Sequence, residues 1–291
     1  MSKTLAPSVT HRDPKGLKFV SVVEAAYDKA GLSDEEAQRV NDTPGLADLI
    51  GDFITKNRQP NQFVSEEVKS NYNYPEGYHV RPIAEQVARL KELFPELNGA
   101  NLEIAKGELP EGAEGWFVIP RWDKLGKSYT EAFEQRIIPA LAATFPKFYN
   151  YRKGELSAKY LRQHPRTIEM YERIVAEQEG YDILIVPAQF GLLHRGRSVR
   201  RAREMFTANE FGLGAFAVGC MLLTHPERLV RWEQLHIDCG GDEYDWRADG
   251  GWTYCPFFYF YDGQVKFFAY RVDNAAQYFG SASGFLGSVT T

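Results

Sequence analysis

Five arginines, Arg195, Arg197, Arg200, Arg201 and Arg203, fall within nine residues, with His194 just before them. A guanidinium is a planar fork of donors that grips a phosphate or carboxylate through two parallel hydrogen bonds. The cluster follows a run of branched apolar residues, Ile183–Val186, that reads as a strand, and open sheets gather ligands beyond the C-terminal ends of their strands. Ser198 is placed to cap a helix starting there, whose free N–H groups favour an anion. The spacing makes Arg195, Arg197, Arg200 and Arg201 a candidate site for a small phosphate- or carboxylate-bearing ligand, with Gln189 and His194 orienting it. It also puts Arg197, Arg200, Arg201 and Glu204 on one helical face. Glu204 can then pair with Arg200 or Arg201, and the segment reads equally as a solvated face.

Opposite charge gathers after the next strand. In HIDCGGDEYDWRAD, residues 236–249, the carboxylates Asp238, Asp242, Glu243, Asp245 and Asp249 stand against Arg247 alone. A hard cation such as Mg²⁺ wants oxygen ligands, so Asp238, Asp242 and Glu243 are candidate ligands or acid/base groups for phosphoryl transfer or hydrolysis. His194 is a further catalytic candidate, and a solvated acidic turn is the alternative. The basic and acidic segments can also neutralise each other as an internal ion-pair network.

Several tempting matches fail on spacing. Gly212-Leu213-Gly214 breaks the dinucleotide fingerprint at Ala217. Gly240 to Tyr244 share four letters with the GGDEF signature of diguanylate cyclases. That family's DxLTGLxNRR-like segment is missing, and Gly250 and Gly251 break the strand that should follow. His236, Cys239 and Cys255 include no CxxC pair for zinc. His236 would project from the opposite strand face to Cys239, which leaves that thiol without a base. No G-x-S-x-G elbow occurs. His79, His164 and His225 adjoin turns or prolines and read as surface or capping residues.

Composition bounds the partners. The 291 residues carry a net charge of -5, against a general nucleic-acid coat. A binding module for single-stranded nucleic acid or a protein remains an alternative, with Tyr259, Tyr261 and Phe268 as stacking groups. Three cysteines are too few for a disulfide framework. A polar N-terminus and a longest uncharged apolar stretch of 211–224 suggest a soluble cytoplasmic protein with no membrane partner.

The positioning elements follow from periodicity. An extended arm is expected over 1–18. Helices follow around Val20 to Tyr27, after a Ser33/Glu36 capping box, from Leu46, and along Ile83, Val87, Leu90 and Phe94. The Gly/Glu/Pro-rich stretch 99–115 is the expected boundary between a helical N-terminal region, 1–98, and a mixed α/β core domain, 99–291, unless the two are continuous. Beyond it come a strand at Trp116–Ile119 and a helix capped by Ser128 and Glu131, kinked at Pro139. Another helix starts at Pro165 and buries Ile168, Tyr171, Ile174 and Val175. Ile183–Val186 suits a central strand of a parallel or mixed sheet, ended by Pro187. Thr207 and Glu210 cap an expected buried helix over 208–224. Asp262-Gly263 turns a hairpin between 257–261 and 264–270, and Asp273 opens a last short helix before a small-residue tail. The fold class is α+β: a helical N-terminal region, then a mixed sheet with packed helices and a C-terminal β-hairpin.

Overall fold

A computed structural model describes residues 12, 14–58 and 62–287. It shows a mixed α+β fold that divides into two compact units, Met1–Asn57 and Arg58–Thr291. The segment 99–115 lies inside the second.

The first unit contains α1 (Pro14–Ala30), α2 (Asp34–Asn41) and α3 (Leu46–Arg58), whose last residue opens the second unit. The Ser33 side chain accepts from the Glu36 N–H, and the Glu36 carboxylate accepts from the Ser33 N–H, the reciprocal box read from the sequence. Of the expected arm, residues 1–11 and 13 lie outside the described residues, while Pro14 to Lys18 are already helical. No residue of the unit whose side-chain burial is described is buried, and Val22, Leu49 and Phe53 stay exposed.

The second unit holds the core. Its helices are α4 (Ile83–Leu93), α5 (Tyr129–Ala132), α6 (Ile138–Thr144), α7 (Pro165–Glu177), α8 (Val199–Met205) and α9 (Ala215–Thr224). Its strands are β1 (Gly115–Pro120), β2 (Tyr149–Asn150), β3 (Leu161–Gln163), β4 (Ile183–Gln189), β5 (Glu210–Gly212), β6 (His236–Asp238), β7 (Asp242–Tyr244), β8 (Tyr254–Tyr261), β9 (Gln264–Arg271), β10 (Phe279–Ser281) and β11 (Ser283–Phe285). One wide π-helical turn, Phe133–Ile137, joins α5 to α6. It lies just ahead of Pro139, which cannot donate to the ladder.

Two sheets organise these strands. The first runs β1-β4-β11-β5 with every neighbour antiparallel. β4 is central and wholly buried as expected, but its sheet is not parallel or mixed: an unbroken apolar run reports cover on both faces, not strand direction. Nor does Pro187 end it. β11 pairs only with Ala188 and Gln189, so the missing N–H of Pro187 breaks no bond to that neighbour. Helices α4 and α9 pack against β1, and α7 against β4.

The second sheet runs β10-β6-β8-β7-β3, with β9 on β8 and β2 on β9. It is mixed, because β10 runs parallel to β6 and β2 to β9. The β8–β9 hairpin turns at Asp262-Gly263, both with positive φ (54° and 70°), as a type I′ turn requires. Phe258 pairs with Phe267 and Phe260 with Val265. Burying a phenylalanine such as Phe258 or Phe267 contributes about 1.5–3 kcal/mol each.

Two expected helices are wholly or partly replaced by other structure. Residues 210–212 form β5, and helix α9 begins only at Ala215. Glu210 keeps half the capping geometry by accepting from the Thr207 N–H, but its carboxylate is held by His194 and Ser283. β11 supplies the partner that makes the segment extended. Likewise Asp273 opens no helix: its carboxylate pairs with Arg271, and the small residues beyond form β10 and β11. A single residue, Ala282, separates those two strands. Its N–H donates to the Asp238 carbonyl of one sheet, and its carbonyl accepts from Leu213, just after β5 of the other.

Candidate functional site

The arginines expected to hold an anion each have a protein partner. Glu66 accepts from Arg200 Nε at 2.9 and 2.8 Å, and from the Ser198 hydroxyl at 2.7 Å. Glu67 pairs with Arg201 and lies 3.5 Å from Arg197 Nε, while Arg201 Nη1 reaches Glu204 at 2.8 Å. Arg195 donates to the Tyr72 carbonyl, and Arg203 to the carbonyls of Gly240 and Asp242. Ser198 caps α8 as expected, accepting from the Arg201 N–H. Burial works to raise the Glu204 pKa, but the hydrogen bonds from Arg201 and from the N–H groups of Gln62 and Phe63 hold it below its ordinary value.

Gln189 and His194 are buried and fully engaged. The Gln189 amide donates to the Ser281 carbonyl and the Ser283 hydroxyl. His194 Nε2 lies 2.7 Å from Glu210, and its Nδ1 is 3.0 Å from Arg197 Nη1.

Asp238, Asp242 and Glu243 do not converge. Asp242 and Glu243 are adjacent on β7 and so face opposite ways, while Asp238 lies on β6, two strands over. Glu243 bonds Arg162 at 2.8 Å. Among the described residues no group of three or more His, Cys, Asp or Glu could hold a metal ion. The three cysteines are free and buried.

Asp242 has a different position, set by two glycine pairs. The turn Gly212-Leu213-Gly214 crosses Gly240-Gly241 at backbone contact. A Cβ on Gly212 would lie 2.5 Å from the Gly240 carbonyl carbon, and one on Gly241 would lie 2.6 Å from the Gly214 nitrogen. The motifs that suggested nucleotide chemistry are thus a close crossing. The crossing delivers the Asp242 carboxylate to the N-terminus of α9, where it accepts from the Ala215 N–H at 2.7 Å and from the Tyr129 hydroxyl at 2.8 Å to each oxygen. Burial pushes Asp242 up to about 7, against the pull of those two donors. Burial, and then the Asp242 charge, pushes the Tyr129 phenol well above its ordinary range.

Tyr129 also faces a pocket of about 390 Å³ bounded by the end of β1, α5, α7 and the start of α9. Ile168, Tyr171 and Val175 line it. With Ile174 these were read from the sequence as the buried stripe of α7; Ile174 is buried and Tyr171 and Val175 pack against the core, but Ile168 is 41% exposed, and Thr167 and Met170 share the buried face. The Tyr171 hydroxyl is buried and has no hydrogen-bond partner. Gln163 and Phe216 line the same space, and Arg121 at its edge is held by Asp123 at 3.1 and 2.7 Å. A buried carboxyl that titrates near neutrality, bonded to a phenol on a pocket wall, can take up or release a proton at the Tyr129 oxygen. Sequence reasoning missed Tyr129, Gln163 and Tyr171. The one signal, for Tyr171 alone, was the width of the α7 stripe, more apolar side chains than one packing face needs.

No family model, curated protein or solved structure matches this chain. The chemistry of the pocket has to speak for itself.

Proposed function

We propose that this chain binds a small molecule with a largely apolar body and a neutral hydrogen-bonding head in the pocket between α5, α7 and the start of α9. The observation that carries this reading is a mostly apolar pocket, lined by Ile168, Tyr171, Val175 and Phe216, whose wall includes the Tyr129 side chain bonded to the buried Asp242. The head is neutral, not anionic, for electrostatic reasons. The first N–H groups of α9, Ala215 and Phe216, are taken by Asp242 and Tyr129. Arg121 is neutralised by Asp123, and Glu172 stands at the wall. The arginine segment around α8 is then structural, a reading supported by its Glu66, Glu67 and Glu204 partners.

Thermal unfolding in the presence of phenol, benzamide and benzoate tests both halves. Ligand at ten times its Kd adds about 1.4 kcal/mol to stability. Phenol or benzamide is expected to raise the midpoint, benzoate to leave it unchanged, and Ile168→Trp, which fills the cavity from its rim, to abolish the shift. Stabilisation by benzoate that disappears in Arg200→Gln would move the ligand to the arginines and overturn the proposal.

A further inference from the structure

A second cavity, of about 400 Å³, opens on the outer face of the second sheet and shares no lining residue with the first. Its walls are aromatic: Trp232, Tyr259, Tyr261, Phe268 and Tyr278 surround His236. No Asp, Glu, Lys or Arg side chain lines it among the described residues. His236 sits on β6 pointing away from the core that its neighbour Ile237 joins. Its ring lies 5.3 Å from that of Tyr278 and 5.6 Å from that of Tyr259. Only 3% of the residue is exposed, yet neither ring nitrogen has a hydrogen-bond partner. Burial lowers its pKa to about 4. The Trp232 backbone acts weakly the other way without meeting hydrogen-bond geometry. The ring is therefore neutral at physiological pH, with one donor and one acceptor nitrogen. Since neither nitrogen is committed, the tautomer can follow whatever it meets.

We infer that this cavity binds a planar nitrogen heterocycle of the nucleobase class, stacked on its aromatic walls and, with the exposed rim side chains Trp232 and Tyr261 moved aside, hydrogen-bonded at its edge to the buried His236 ring. Three features select that class. Flat π faces stack on tyrosine and phenylalanine rings regardless of base identity. A neutral imidazole of either tautomer meets the donor or the acceptor on a base edge. Lys266 already lies over the Tyr261 ring, 5.0 Å from its centroid, which disfavours a second cation there and polarises the ring towards an electron-rich partner.

Isothermal titration of the full chain with adenosine, guanosine, cytidine and uridine, and with a single-stranded pentanucleotide, decides the matter. Methyl glucoside and tetramethylammonium serve as probes of the rival chemistries. At least one nucleoside is expected to bind, with a loss of tenfold or more in His236→Phe, which keeps the ring shape and removes both nitrogens. A similar loss is expected in Tyr261→Ala, a change at a rim residue that is 54% exposed and outside the core. Equal affinity for the nucleoside and the pentanucleotide assigns the site to free bases, and a gain with the strand assigns it to single-stranded nucleic acid. Three results would overturn the inference: no nucleoside binding in the folded chain, binding unchanged in both variants, or preferential binding of the glucoside or the ammonium ion.

Discussion

Asp238 shows how much a single buried group can shape behaviour. It lies on β6 opposite Ser281, whose hydroxyl is buried and unpartnered, and burial alone pushes its carboxyl up to about 8. The unfolded group gives up its proton near pH ~4. Between those values the folded chain holds a proton the unfolded chain has lost. Asp238 by itself therefore contributes a fall in stability of about 1.4 kcal/mol per pH unit as pH rises through that window. Asp238→Asn is expected to remove that contribution, so that the variant gains on the parent by about 1.4 kcal/mol per pH unit between pH 5 and 8 in urea unfolding. A variant curve parallel to the parent would count against it. The arginines teach the complementary lesson at this scale. Their local spacing permitted a ligand, a solvated face or an ion-pair network. The groups that meet them, Glu66 and Glu67, stand about 130 residues upstream and joined no motif of their own. The Ser198 cap and the Glu204 pairing were legible because both partners lie within one helical turn.

Elements differ in legibility for the same reason of range. The β8–β9 hairpin was readable to the register, because its turn and its alternation are contiguous in the chain. Strands β5, β10 and β11 have three residues each and pair with segments far away, so no period can establish itself. The apolar stretch 211–224 gave one signal for two elements, since burial on all sides erases the difference between strand and helix. What divides it is the glycine crossing, and that can be tested. Gly241→Ala puts a methyl group against the backbone of Gly212 and Gly214 and is expected to cost about 3 kcal/mol through forced separation. Gly99→Ala, whose added carbon meets no atom within 4 Å, is expected to stay within about 0.5 kcal/mol. If urea midpoints fall equally for the two, the crossing is not what positions Asp242.

At the scale of the whole molecule, the burial is uneven. Every buried hydrophobic side chain of the described residues lies at or beyond Leu90, and the first unit contributes none. A fragment of residues 58–291 is therefore expected to unfold cooperatively, with a midpoint close to that of the full chain, by calorimetry and near-ultraviolet circular dichroism. Broad, non-cooperative melting would show that the helices of residues 14–57 are needed for the core. No helix among the described residues is long and apolar enough to cross a membrane. The single-residue step at Ala282 has a consequence for how such a chain is made. β11 lies between β4 and β5, yet it leaves the ribosome about a hundred residues after β4 does. Until it emerges, both older strands wait with an open slot of unpaired backbone between them, the kind of edge that recruits a neighbouring chain. Synthesis stalled before Phe279 would leave a nascent protein with most of its mass and an unsealed sheet, dependent on a chaperone or prone to join its neighbours.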